Sequence, residues 1–101
     1  MSRAVELAPA NALILADGAR TELAIGHPGE AWRLGDRVVA LYSESAWGYA
    51  MRAAADLAMG RPQAAIPDLE RSLSRDWEDD QVMREAAERM LVRLRLVGEK
   101  P

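Results

Sequence analysis

Positions 34 residues apart match along this chain without a gap. Ala19, Ala53 and Ala87 form one series, and Leu23, Leu57 and Leu91 a second. Arg3, Arg37 and Arg71 form a third, and Val5, Val39 and Leu73 keep a fourth position apolar. Gly26 with Gly60, Pro28 with Pro62, Ala31 with Ala65, Ala24 with Ala58, and Ala12 with Ala46 recur once each. Glu22 and Asp56 hold an acidic pair in the same register. A single match would be coincidence in a chain rich in Ala and Arg, but many at one offset make an internal repeat. A unit of that length cannot bury its apolar face alone, so the repeat predicts units stacked on their neighbours.

Each unit reads as two helices. Asn11 is a suitable N-cap for a helix from about Ala12 to Ile25, which Gly26 ends by accepting a positive φ. Pro28 suits the first turn of the next helix. That helix carries Ala31, Leu34, Val38 and Leu41 on one stripe. Ser43, Glu44 and Ser45 make a polar break, with Ser45 placed to cap the next helix. The second unit repeats the plan from Ala46 to Met59, then from Pro62 to about Arg75, with Ala65, Leu69, Ser72 and Leu73 facing inward. Asp76, with Asp79 three residues on, is placed to cap a last helix reaching about Val97. Small residues at Ala24/Ala58 and Ala31/Ala65 are expected to let paired helices approach closely. Pro67 removes one helical hydrogen bond wherever it falls inside its helix. No segment alternates with period 2 for long enough to propose a strand. The expected fold is all-α, five antiparallel helices joined by short loops.

Composition excludes several functions. The chain has 101 residues, room for one small domain, and its formal charge of −3 argues against a general nucleic-acid binder. It has no Cys and one His, which removes disulfides, thiolate metal sites and multi-His metal sites together. Ala12 to Ala16 is the longest early apolar run, and it is too short to span a bilayer. Neither a signal peptide nor a transmembrane segment is evident, so a cytoplasmic location is expected.

The stride resembles the tetratricopeptide repeat, a helix–turn–helix unit of about 34 residues. With Ala46 as its first position, the second unit supplies Tyr49, Ala53, Ala65, Leu69, Ser72 and Trp77 where the family wants large, small, small, large, small and often Pro. With Ala12 first, the first unit supplies Leu15, Ala19, Ala31, Gly35 and Val38. Arg52 stands where the family prefers Leu, Glu22 and Asp56 where it prefers Tyr, and Gly35 where it has a large core residue. The resemblance implies antiparallel hairpins stacked as a short right-handed α-solenoid, one domain over residues 1–101. Its parts would be the end of a truncated repeat (1–9), a first repeat (10–43), a second (44–77), and a capping helix with tail (78–101). Ala4 to Pro9 reads as the last turns of a unit whose first half is missing, so the chain is expected to be an excised piece of a longer array or to complete its stack with a second copy. The last helix starts acidic and ends basic, which suits the helix dipole, and is expected to turn a solvated face outward.

Candidate chemistry is sparse. Glu78, Asp79 and Asp80 point in different directions on a helix and serve better as a helix start than as an ion site. His27 and Glu30 make at most half a metal site. There is no phosphate-binding Gly-rich loop and no His in register with a nucleophilic Ser. No cofactor and no catalytic residue is expected. Trp32, Tyr42, Trp47, Tyr49 and Trp77 are expected to fill the space between helices.

The resemblance places the binding surface on the first helix of each unit, which lines the concave face in that family. It implies a groove of Leu13, Ala16 and Arg20, then Trp47, Ala50 and Ala54, then Gln81, Arg84 and Glu88. Trp47 would sit at its centre, or else pack against an adjacent unit. Trp and Arg are enriched in binding hot spots. The implied function is non-catalytic: a protein–protein interaction module binding a peptide or partner helix. The alternative is a structural segment that stacks on another copy or domain.

Overall fold

A computed structural model describes residues 9–75, 77 and 80–99, with side chains described from residue 14 to residue 96 within those ranges. Among the described residues the chain is all-helical, with five helices: α1 Pro9–Ala24, α2 Pro28–Leu41, α3 Ala46–Ala58, α4 Pro62–Leu73 and α5 Gln81–Glu99. Each helix packs on the next in sequence, and α1 also packs on α3. Among the described residues the expected strand-free, five-helix architecture is present. Residues 1–8 of the proposed truncated unit, and Asp76 and Asp79 of the capping box, lie outside those described, while Pro9 is the first residue of α1.

The turns after α1 and α3 are built alike, 34 residues apart. Gly26 has φ 88° and Gly60 has φ 76°. His27 N–H donates to the Glu22 carbonyl at 2.7 Å, and Gly26 N–H to that of Leu23 at 3.2 Å. Arg61 N–H donates to Asp56 at 2.8 Å, and Gly60 N–H to Leu57 at 3.0 Å. This is the Schellman closure, which needs the left-handed backbone that Gly adopts without steric cost. Pro28 and Pro62 then open α2 and α4 at the first turn, where no N–H is missed. A side-chain pair reinforces each turn: His27 Nδ1 lies 2.9 Å from Glu22 Oε1, and Arg61 Nη2 lies 3.1 Å from Asp56 Oδ1. The acidic pair noticed in the sequence is therefore half of a repeated clasp.

The periodic alanines are core residues. Ala19, Ala53, Ala31 and Ala65 are fully buried, and Ala87 nearly so. Around them pack Met51, Leu69, Leu91 and the two indoles of Trp47 and Trp77, which meet edge to face at 6.0 Å between centroids. Gly35 and Gly48 bring α2 and α3 together. A Cβ on Gly35 would lie 2.8 Å from the Arg52 backbone nitrogen, and one on Gly48 would lie 2.8 Å from Val38 Cγ1. The close approach of the Arg52 backbone leaves no room for a larger side chain at Gly35.

Several local expectations need correction. Asn11 lies inside α1, not at its N-cap. Ser45 occupies the N-cap of α3 but makes no capping bond. Ala24 and Ala58 are exposed because Gly26 and Gly60 turn the chain just after them, so only Ala31 and Ala65 serve close packing. Leu41, at the end of α2, is 45% exposed and leaves the inner stripe. Helix α5 starts at Gln81, and its cap is Asp80, whose Oδ1 accepts the Met83 N–H at 3.1 Å. Pro67 sits inside α4 on its exposed face, and the helix runs through it. The outer face of α5 is not wholly polar: Val82, Val92 and Leu96 are 75%, 56% and 61% exposed.

Candidate functional site

Helices α1, α3 and α5 carry the residues expected to line a groove, and the structure distributes them unevenly. Ala16 and Ala50 are buried in the core. Trp47 is 8% exposed, and its Nε1 donates to Asp80 Oδ2 at 3.1 Å, so the indole is internal structure. Of the two roles left open for Trp47, its burial and its bond to Asp80 favour packing. Ala54 is half-buried, while Arg20, Gln81, Arg84 and Glu88 are exposed. Leu13 lies on α1, with its side chain outside those described.

A pocket of about 200 Å³ does lie among these helices. Arg20 and Leu23 reach it from α1, Ala50 and Ala54 from α3. Its apolar wall is Met51 from α3 with Met83 and Met90 from α5. The groove expected from the sequence does not include these methionines. Met83, Ala87 and Met90 follow the three-to-four spacing of one helix stripe, which was the available signal. Thioether chains are unbranched and polarisable, so such a wall adapts to the shape of an apolar group. At the rim Arg20 pairs with Asp17 on the same helix; Arg84 and Glu88, whose Nε and Oε2 are 3.7 Å apart, do not line the pocket. The pocket can hold an apolar side chain with a cation at its edge.

The strongest polar constellation lies on the other side of α3. Arg52 Nε and Nη2 donate to the two oxygens of Asp68 at 2.9 and 2.8 Å, and Nη1 donates to Asp36 at 2.8 Å. The guanidinium also sits 5.9 Å from the Trp32 ring centroid and 5.8 Å from that of Tyr49. Its side chain is 17% exposed and that of Asp68 is 7%. The hydrogen bonds to Asp68 raise the Arg52 pKa above its ordinary value, outweighing burial, with the charges of Asp68 and Asp36 adding to the effect. Arg52 is therefore a fixed cation tying α2, α3 and α4 together.

Among the described residues, no group of three His, Cys, Asp or Glu side chains is placed to hold a metal ion. Among them, too, no helix is long and apolar enough to cross a membrane. No protein-family model matches the chain. Neither a curated protein nor a solved structure matches it.

Proposed function

We propose that this chain is a non-catalytic protein-interaction module, built as a short right-handed solenoid of tetratricopeptide-like hairpins. The observation that carries the proposal is the pocket walled by Met51, Met83 and Met90, with Arg20 at its edge. Concave apolar sites with a few polar groups at the rim are where partners dock, and methionine walls suit partners of varied shape. The repeated Schellman turns and the buried series Ala19, Ala53 and Ala87 support layered hairpins. The partner is a peptide or helix offering one bulky apolar side chain, with an acidic residue near Arg20.

The test is a selection of helical peptides from a random library on the immobilised domain. Bound peptides are then measured against Ala54→Trp, which fills the pocket, and Arg20→Glu, which reverses the rim charge. Affinity is expected to fall about tenfold or more in each variant with helicity unchanged. Peptides that bind the filled pocket equally well would remove the proposal.

A second reading has its own observation. Val82, Val92 and Leu96 form exposed apolar positions on α5. In a layered array the outer face of a last helix is where another unit stacks. On that reading the chain associates with a second copy or a neighbouring domain. Sedimentation across a concentration range distinguishes the two: self-association lost in the double variant Val92→Lys and Leu96→Lys favours stacking, and a monomer throughout rejects stacking on a second copy.

A further inference from the structure

The polar cleft on the far side of α3 is separate from the methionine pocket. Ala50 and Ala54 share one face of α3 at a spacing of four, and Arg52 and Asp56 share the roughly opposite face, about 200° around the helix. An open cleft of about 410 Å³ lies over this second face, bounded by Trp32 from α2 and by Pro67 and Arg71 from α4. Arg61 stands at its end, where α4 begins.

The charges in this cleft are shared out unequally. Arg52 takes two carboxylates, those of Asp68 and Asp36, and engages both oxygens of Asp68. Arg61 takes one, Asp56 at 3.1 Å. Arg71 is left with Asp68 Oδ1 at 3.9 Å, beyond hydrogen-bonding distance. Among the described residues Arg71 has no nearer carboxylate. Its side chain is 57% exposed, so its planar set of donors is open to solvent in the cleft. A guanidinium of this kind matches a carboxylate with two parallel hydrogen bonds. The charge count selects the ligand further. Two buried aspartates line the same cleft, Asp68 near Arg71 and Asp56 paired with Arg61, so a single negative charge is tolerated better than the double charge of a phosphate. Trp32 and the exposed Pro67 ring offer apolar surface beside the cation.

We propose that this cleft binds a carboxylate carried on an apolar body, with Arg71 gripping the carboxylate, Arg61 adding a second positive charge, and Trp32 and Pro67 contacting the apolar part. A free aromatic acid and an acidic peptide residue beside an apolar one share this chemistry. The site is independent of the proposed groove.

The experiment titrates the full chain with two probes, phenylacetate and the blocked dipeptide acetyl-Glu-Leu-amide, following the Trp32 indole N–H by NMR. That signal is assigned with Trp32→Phe. A saturable shift with either probe supports the site, and the better probe tells which source it favours. Arg71→Gln is expected to weaken binding about tenfold and Arg71→Lys less, since lysine keeps the charge and loses the fork. Arg93→Gln, exposed on α5 and outside both the cleft and the methionine pocket, is expected to leave binding unchanged. Phenylacetamide, uncharged and of the same shape, is expected not to bind. The proposal is overturned if neither probe shifts Trp32, if phenylacetamide acts as well as phenylacetate, or if folded Arg71→Gln and Arg71→Lys bind as the parent does.

Discussion

One carboxylate joins the middle of the molecule to its last helix: Asp80 accepts the Trp47 indole N–H on Oδ2 and the Met83 backbone N–H on Oδ1, each at 3.1 Å. The first bond fixes α3 against the start of α5, and the second starts α5. Asp80→Ala removes both partners, leaving a buried indole N–H and an open helix end. The expected loss is about 2 kcal/mol, the sum of a cap and an unmet buried donor. Asp80→Asn keeps an acceptor for the cap and is expected to cost less. Urea denaturation of both variants and of Trp47→Phe, combined in a double-mutant cycle, measures the indole bond apart from the cap. An Asp80→Ala chain as stable as the parent would show that the bond is not made.

Arg52 offers a test of a charge held between helices. Arg52→Leu leaves Asp68 buried without its fork, and is expected to cost about 3 kcal/mol or more. Adding Asp68→Leu is expected to recover most of that loss, because a buried pair replaced by apolar groups is often close to neutral. The raised Arg52 pKa means that its stabilisation is fully present at every pH below the ordinary guanidinium range, and fades only as pH rises through the higher folded value. Arg52→Leu should therefore remove stability at neutral pH as well as in mild alkali. Thermal melts of the single and double variants decide it.

The two Schellman turns predict equal sensitivity to equal changes. Gly26→Ala and Gly60→Ala each force a side chain into a left-handed backbone, at about 1 kcal/mol or slightly more. Nothing lies within 4 Å of a Cβ at either position, so the cost is conformational alone. Similar losses in the two variants by urea denaturation are the expected result. A large difference would mean that the turns are not equivalent in the folded chain.

The helices and turns were legible because they rest on local chemistry: Gly26 and Gly60 at positive φ, Pro28 and Pro62 at first turns, and alanines every 34 residues. What was not legible depended on contacts between distant residues. Trp47 carries equal signals for a groove and for a core, and only the approach of Asp80 and Trp77 decides between them. The cap of α5 falls on Asp80, a carboxylate that also meets an indole from α3, which no local pattern encodes. Arg52 stands out as a departure from the resembled family, but its partners, Asp36 and Asp68, lie sixteen residues to either side. The groove residues follow only from the resembled family, while Met83 and Met90 belong to a stripe that reads, in sequence, only as part of a capping helix.

Two glycines on α2 should respond in opposite directions to the same substitution. Gly29 has nothing within 4 Å of a Cβ, and Gly35 has the Arg52 backbone nitrogen at 2.8 Å and its Cα at 3.1 Å. Helix propensity alone favours alanine over glycine by about 0.5–1 kcal/mol. Gly29→Ala is expected to stabilise the chain by about that amount, reduced because the position lies in the first turn. Gly35→Ala gains the same propensity but drives a methyl group into backbone that cannot rotate away, so α2 must shift from α3. Overpacking of this kind costs about 1–3 kcal/mol, enough to reverse the sign. The shift would also pull Trp32 and Asp36 away from Arg52, both of which meet its guanidinium from α2. Gly35→Ala should therefore show a lower melting temperature together with a changed Trp32 indole signal, and Gly29→Ala a raised melting temperature with that signal unmoved. If both variants are stabilised, α2 and α3 are not in the close contact that Gly35 permits.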